Sequence, residues 1–382
     1  CRIWRLRIMG AYTTIDDPSA YFQTAIFTGD GSNVVTVTND GNSDLQPDLL
    51  WFKRRDGSVS HVIIDTNGGA NVTSGFGPTG YNIVLNTNST ATAVADSSGV
   101  MTITSDGFTC KELTSAAGNV STGSMCCWQW HCDAGDRITF NESGANPGGI
   151  RQTNATAGIS IIRYTGTGSN GTIAHGLGKA PEFLIFKRGN ATNIWAVWNV
   201  ALGDDLKLVL NSADAQDADG AFMNSTLPTS TNITVGGAST NTNADGGDYL
   251  CYAFSSIQGY SKFGSYVGNG SGTSDGTFDG RMIATGFKPA WVLIKRTSYS
   301  AGDGWTLFDN KRGPINYNQN KLNPASTAAE SGALYDAVDF LSNGFKARTG
   351  RAGVNASGST YTYYAFAENP FVTSTGIPTT AR

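Results

Sequence analysis

The chain has 382 residues, 26 of them Lys or Arg and 30 Asp or Glu, giving a formal net charge of −4 with only 15% charged residues. Without a basic stripe it lacks the electrostatic footprint of a nucleic-acid binder. No apolar run approaches the ~18–20 residues of a spanning helix, so no helical membrane crossing is expected.

Residues 1–8 are basic and lack a methionine, whereas Met9-Gly10 looks like a natural start, so the first eight read as an upstream extension. A lipid-modified mature Cys1 is the alternative. A signal peptide would need an apolar core of ~7–15 residues, which this segment lacks. Residues 1–21 form a leader, suited to attachment to another protein or to covering a sheet edge.

The first unit, 22–135, carries six phrases in order. Phe27-Thr28-Gly29-Asp30-Gly31 is an aromatic followed by alternate glycines. Gln46-Pro47-Asp48-Leu49-Leu50-Trp51-Phe52-Lys53-Arg54 reads as a turn with a proline, a buried apolar strand and a basic pair. His61 to Asp65 is a short apolar strand ending in an acid, followed by Leu85-Asn86 and a strand centred on Phe108. Trp128-Gln129-Trp130 closes the unit.

The same phrases return in 159–258. They are Tyr164 to Gly168, Lys179-Ala180-Pro181 to Arg188, Trp195 to Asn199, Leu210-Asn211, a strand on Ile233, and Tyr252-Ala253-Phe254. They return again in 262–371 as Tyr266 to Gly270, Lys288-Pro289 to Arg296, Trp305 to Asp309, Leu322-Asn323, a strand on Phe345, and Tyr364-Ala365-Phe366. The step from the leucine to the strand centre is 23 in all three copies (108−85, 233−210, 345−322). A unit of about a hundred residues is the size of a whole domain and too long for a solenoid turn. Thr, Val, Ile and aromatics supply strands, while the 48 glycines and abundant Asn supply turns. The best helix candidate, Glu330 to Leu341, reads equally as a loop. The expected fold is therefore all-β: three tandem antiparallel β-sandwich domains of jelly-roll or lectin-like kind. Residues 136–158, rich in Gly, Asn and Ser, read as a flexible linker. The joint at 255–263 is short, and 372–382 is a tail.

The six cysteines are Cys1, Cys110, Cys126, Cys127, Cys132 and Cys251. They do not repeat with the unit as a disulfide framework would, so reduced core thiols are expected, with a Cys126–Cys132 bridge as the alternative. Cys126, Cys127, His131 and Cys132 are the right residue types for zinc. Their spacing is poor for it, because adjacent strand residues point to opposite faces. His61 reads as a packing or surface residue and His175 as a turn residue. Asp217-Ala218-Asp219-Gly220 resembles part of a calcium loop without its first ligand and closing Glu, so Asp217 and Asp219 are the metal candidates. Asp204, Asp205 and Asp214 add acids only in the second unit, so no shared carboxylate pair for glycoside hydrolysis is expected. No nucleophile elbow or phosphate loop is present. The Lys-Arg pairs read as solvated strand ends, and most tryptophans as core. No catalytic residue, enzyme activity or cofactor is expected.

The segments Ala157 to Ile162, His175 to Pro181, Gly259 to Tyr266, Asp309-Asn310-Lys311-Arg312, Phe340 to Phe345 and Ala365 to Val372 carry a resemblance. The whole of 9–382 resembles the repeated β-domain proteins of marine bacteriophages, virion or tail-fibre-like proteins bearing a domain of unknown function. That resemblance implies a virion protein made in the host cytoplasm. It would be a tail fibre or surface appendage that touches host glycan and self-associates, as a homotrimer. A capsid-decorating or connector protein without ligand is the alternative, and a glycan-degrading enzyme ranks lower.

Overall fold

The computed structural model describes residues 11–31, 34–68, 82–96, 102–111, 118–132, 137–271, 279–299, 304–332 and 336–380. The first ten residues, with Cys1 and Met9, lie outside the described residues. Among those described, regular structure is strand, apart from the 3-10 turns Pro18–Ala20, Thr66–Gly68 and Val200–Leu202. The all-β expectation holds. The helix candidate near Glu330 is instead partly strand, Val338–Leu341.

Three main sheets share one strand order. Each unit has an opening strand (Phe22–Thr28, Ile159–Thr165, Ser261–Val267) and a closing strand (Ser124–Trp130, Asp248–Phe254, Thr360–Pro370). Each also has a central strand (Leu49–Arg54, Phe183–Arg188, Phe287–Arg296) and an outer strand (Val62–Asp65, Trp195–Asn199, Trp305–Asp309). In space the order is opening, closing, central, outer, always antiparallel. The registers match too: Trp51 faces Trp128, Ile185 faces Tyr252, and Leu293 faces Tyr364.

The two alternate glycines explain themselves locally. A Cβ on Gly29, Gly166 or Gly268 would lie 2.1, 2.3 and 2.3 Å from a facing backbone carbonyl. The second glycines, Gly31, Gly168 and Gly270, have φ of 66°, 68° and 73°, a region that glycine enters without a Cβ clash.

Side chains alternate along a strand, so a run apolar at every position must be covered on both faces. One face of each main sheet meets a small sheet of its own unit, built on Gly107–Cys110, Asn232–Val235 or Gly344–Ala347. There Leu50 and Phe52 pack with Phe108, and Val292 and Ile294 with Phe345. The other faces meet one another. Leu49, Trp51, Phe183, Ile185, Trp291 and Leu293 belong to one continuous core. The equivalent last aromatics of the closing strands meet there, with Phe366 at 5.5 Å from Trp130 and 5.7 Å from Phe254. The three units thus share an interior.

One expectation about a segment changes. Residues expected as a linker form Arg137–Phe140 and Gly149–Asn154, a hairpin that extends the second main sheet beyond its opening strand. Buried Gln152 and Asn154 anchor it. The leader folds back on the chain. Ile15 is buried in the shared core, Tyr12 donates to the Gly286 carbonyl at 2.7 Å, and Thr13 to that of Gln258 at 2.7 Å.

Candidate functional site at the seams between units

Alternation puts Lys53, Lys187 and Lys295 on the inner face of the central strands, with Trp51, Ile185 and Leu293. They are not solvated strand ends, for their exposures are 0%, 1% and 0%. A buried ammonium needs acceptors, and each finds one in a neighbouring unit. Lys53 donates to the Thr327 carbonyl at 3.1 Å, Lys187 to that of Thr90 at 3.0 Å, and Lys295 to that of Ala213 at 2.8 Å. Unit 1 therefore reaches unit 3, unit 2 reaches unit 1, and unit 3 reaches unit 2. Burial lowers all three amines from 10.5 to about 8.

The backbone repeats the circuit. Two residues after each lysine a carbonyl accepts from the neighbouring unit: Glu330 N to Arg55 O (2.7 Å), Ala93 N to Gly189 O (3.0 Å), and Gln216 N to Thr297 O (2.9 Å). Trp195 donates its indole N–H to Asn86 O, and Trp305 to Val209 O. In unit 1 the equivalent residue is His61, whose Nδ1 accepts from the Trp51 indole at 3.1 Å. The contacts close a ring with approximate threefold order inside one chain.

The closing aromatics complete it through strand-end acids. Trp128 donates to Asp309 at 2.9 Å, across units 1 and 3. Tyr252 donates to Asp65 at 2.8 Å, across units 2 and 1. At the third seam Asn199 replaces the acid and lies beside the Tyr364 hydroxyl. Arg163 grips Asp65 with contacts of 2.9 and 3.0 Å. Arg312, fully buried, bonds Asp309 and donates to Glu330 at 2.9 Å, and Glu330 also takes two bonds from Arg55. Burial alone would raise the Glu330 carboxyl, but the two guanidiniums outweigh it and hold the group below its ordinary value.

One seam is open. Between units 1 and 3 lies a cleft of about 300 Å³ whose walls include Phe22, Thr24, Asp40, Lys311, Glu368 and Asn369. Lys311 and Asp40 pair across its mouth at 2.7 Å, and Glu368 pairs with Lys288 at 3.1 Å. The Thr24 hydroxyl is buried and has no hydrogen-bond partner among the described residues.

The sequence profile described as Domain of unknown function (DUF7483) matches residues 17–370. The chain belongs to this family. Its profile runs through all three units as one stretch, as the ring does. No curated protein matches the chain, and no solved structure does.

The acids and thiols singled out in the sequence form no metal-ligand cluster among the described residues. Lys207 places its ammonium 2.6 Å from Asp217 and 3.4 Å from Asp219, where a calcium ion between them would have to sit. Asp205 accepts from Ser225, and Asp214 from Ser212. The His175 Nδ1 accepts from Leu177 N at 3.1 Å, within its turn. His131 faces the Gln46 carbonyl and Asp48. Cys110, Cys126, Cys127, Cys132 and Cys251 are free and buried, so the Cys126–Cys132 bridge is absent. Cys126 belongs to the shared core and Cys127 to the core of unit 1, on opposite faces of one strand. Trp51, Trp128, Trp130, Trp195, Trp198, Trp291 and Trp305 are buried, as the repeat implied. Sequence reasoning missed the seam lysines and Arg312. The signal for the lysines was their recurrence at one strand position in every unit.

Proposed function

We propose that this chain is a structural and adhesive part of a bacteriophage particle, a tail fibre or surface appendage that meets the host through glycan. The sequence resemblance supports the particle, and the closed ring carries the structural role. A ring sealed by buried lysines, aromatics and acids fixes the main sheets of the three units against one another, which lowers the ordering cost of contact with a surface. The seam acids are held by arginine, tryptophan and tyrosine as structural partners, which favours binding over catalysis. Free buried thiols fit synthesis in a reducing cytoplasm. The partners are other virion proteins and further copies of the chain, with a homotrimer of rings as the state to test by sedimentation.

Immunogold electron microscopy of intact particles with antibody to this chain tests the reading. Label on tail appendages is the expected result. Label spread over the head would replace the appendage with capsid decoration. Absence of label on any particle would remove both.

A further inference from the structure

We propose that the cleft between units 1 and 3 binds a neutral polyhydroxylated ligand, one ring of a saccharide. The proposal rests on the adhesive reading above and gives that adhesion a place.

One residue of the cleft wall sets this seam apart from the other two. Thr24, Ile161 and Phe263 hold the same position on the three opening strands, facing Trp128, Tyr252 and Tyr364. Ile161 is fully buried, and Phe263 packs 5.5 Å from Phe183. Where two seams carry a large apolar side chain, the third carries a small hydroxyl. That hydroxyl has no hydrogen-bond partner among the described residues, in a residue only 5% exposed. A buried unpaired hydroxyl costs free energy that an incoming donor or acceptor would return.

The lining sets the ligand class. The charges at the mouth are already paired, Lys311 with Asp40 and Glu368 with Lys288, and the Asn310 amide donates to Glu368. An ionic ligand would have to break those pairs. What remains includes the Thr24 hydroxyl and the Asn42 and Asn369 amides, beside the small apolar surface of Phe22, Ala290 and Ala367. Such walls suit a ring that presents hydroxyls at its edge and C–H groups on its face. Phe22 is held in place by stacking 5.4 Å from Phe366. The volume of about 300 Å³ lies at the small end of ligand sites, enough for one ring.

The test is saturation-transfer NMR of the full chain against a panel of neutral hexoses and their disaccharides, followed by calorimetric titration. At least one member should bind. Thr24→Val keeps the shape and removes the hydroxyl, and affinity should fall about tenfold. Thr24→Ile copies the residue of unit 2, and binding should vanish while the melting transition persists. No binding from the whole panel, or binding that survives Thr24→Ile, overturns the proposal. Particle labelling fails separately. Labelled appendages without saccharide binding keep the structural role and remove the cleft. Saccharide binding by a chain absent from particles keeps the cleft and removes the appendage.

Discussion

The seam between units 2 and 1 and the seam between units 1 and 3 use equivalent strands, yet the first buries Ile161 where the second opens into a cleft beside Thr24. Both bury an acid at the end of an outer strand, Asp65 in one and Asp309 in the other, and both give it an aromatic donor. They differ in where the arginine comes from. At Asp65 it is Arg163, on the opening strand of the opposing unit. At Asp309 it is Arg312, three residues further along the acid's own turn. The residue of unit 1 equivalent to Arg163 is Ile26, which is left exposed. A buried carboxylate must have a cation, but either side of a seam can supply it. When the opposing strand supplies it, that strand fills the seam. When the acid's own turn supplies it, the opposing strand is free to carry a residue as small as Thr24.

The largest expected effects lie at the two arginines. Arg312→Met and Arg163→Met each leave a buried carboxylate without its cation, and each should cost about 3–5 kcal/mol in denaturant unfolding. A loss below ~1 kcal/mol at either would break the equivalence of the seams. The aromatic donors come next. Tyr252→Phe removes a hydrogen bond to the Asp65 carboxylate and should cost about 1.5–3 kcal/mol. Tyr364→Phe removes a hydroxyl that faces two uncharged groups, the Thr362 hydroxyl and the Asn199 side chain, and should cost under ~1 kcal/mol. Equal losses would show that the acid at the seam contributes nothing beyond an amide.

The three units and their strands were legible because side-chain alternation and turn chemistry are local, and six anchors recurred in order. The seams were not legible, because nothing local says which face of a fully apolar strand meets its own small sheet and which meets another unit. Lys53 followed Phe52 as a strand end would, and only the partner Thr327, 274 residues away, shows why it is buried. The hairpin Arg137–Phe140 and Gly149–Asn154 was hidden by its glycines and asparagines, which read as a joint. The cleft was hidden for a different reason. Its walls come from residues near 20, 40, 310 and 368, and the feature that opens it is a small side chain in place of a large one.

The seam lysines offer the smallest effect and the cleanest control, because all three seams have one. Each amine sits at about 8 in the fold against 10.5 in the open chain, burial being the first cause. Between those values the unfolded chain holds more protons than the folded one, so stability rises with pH there and is lost as pH falls through about 8. Buried thiols act in the opposite sense. Cys110 and Cys126 are pushed by burial from 9.0 to about 12, and Cys127 and Cys251 are raised as well. Above pH 9 the unfolded chain releases those protons first, and stability falls. The buried phenols of Tyr164, Tyr252, Tyr260 and Tyr266 add to the fall above pH 10. Urea midpoints measured from pH 7 to 10.5 should show a shallow maximum between about 8 and 9, with a rise of ~1–2 kcal/mol at most. Lys53→Met, Lys187→Met and Lys295→Met should each lower that rise by a similar amount, since each takes away one of three equal lysine titrations. If Lys53→Met alone left the rise intact, the open seam would not be sealed at its lysine end as the other two are, and the ring would be closed at two seams only.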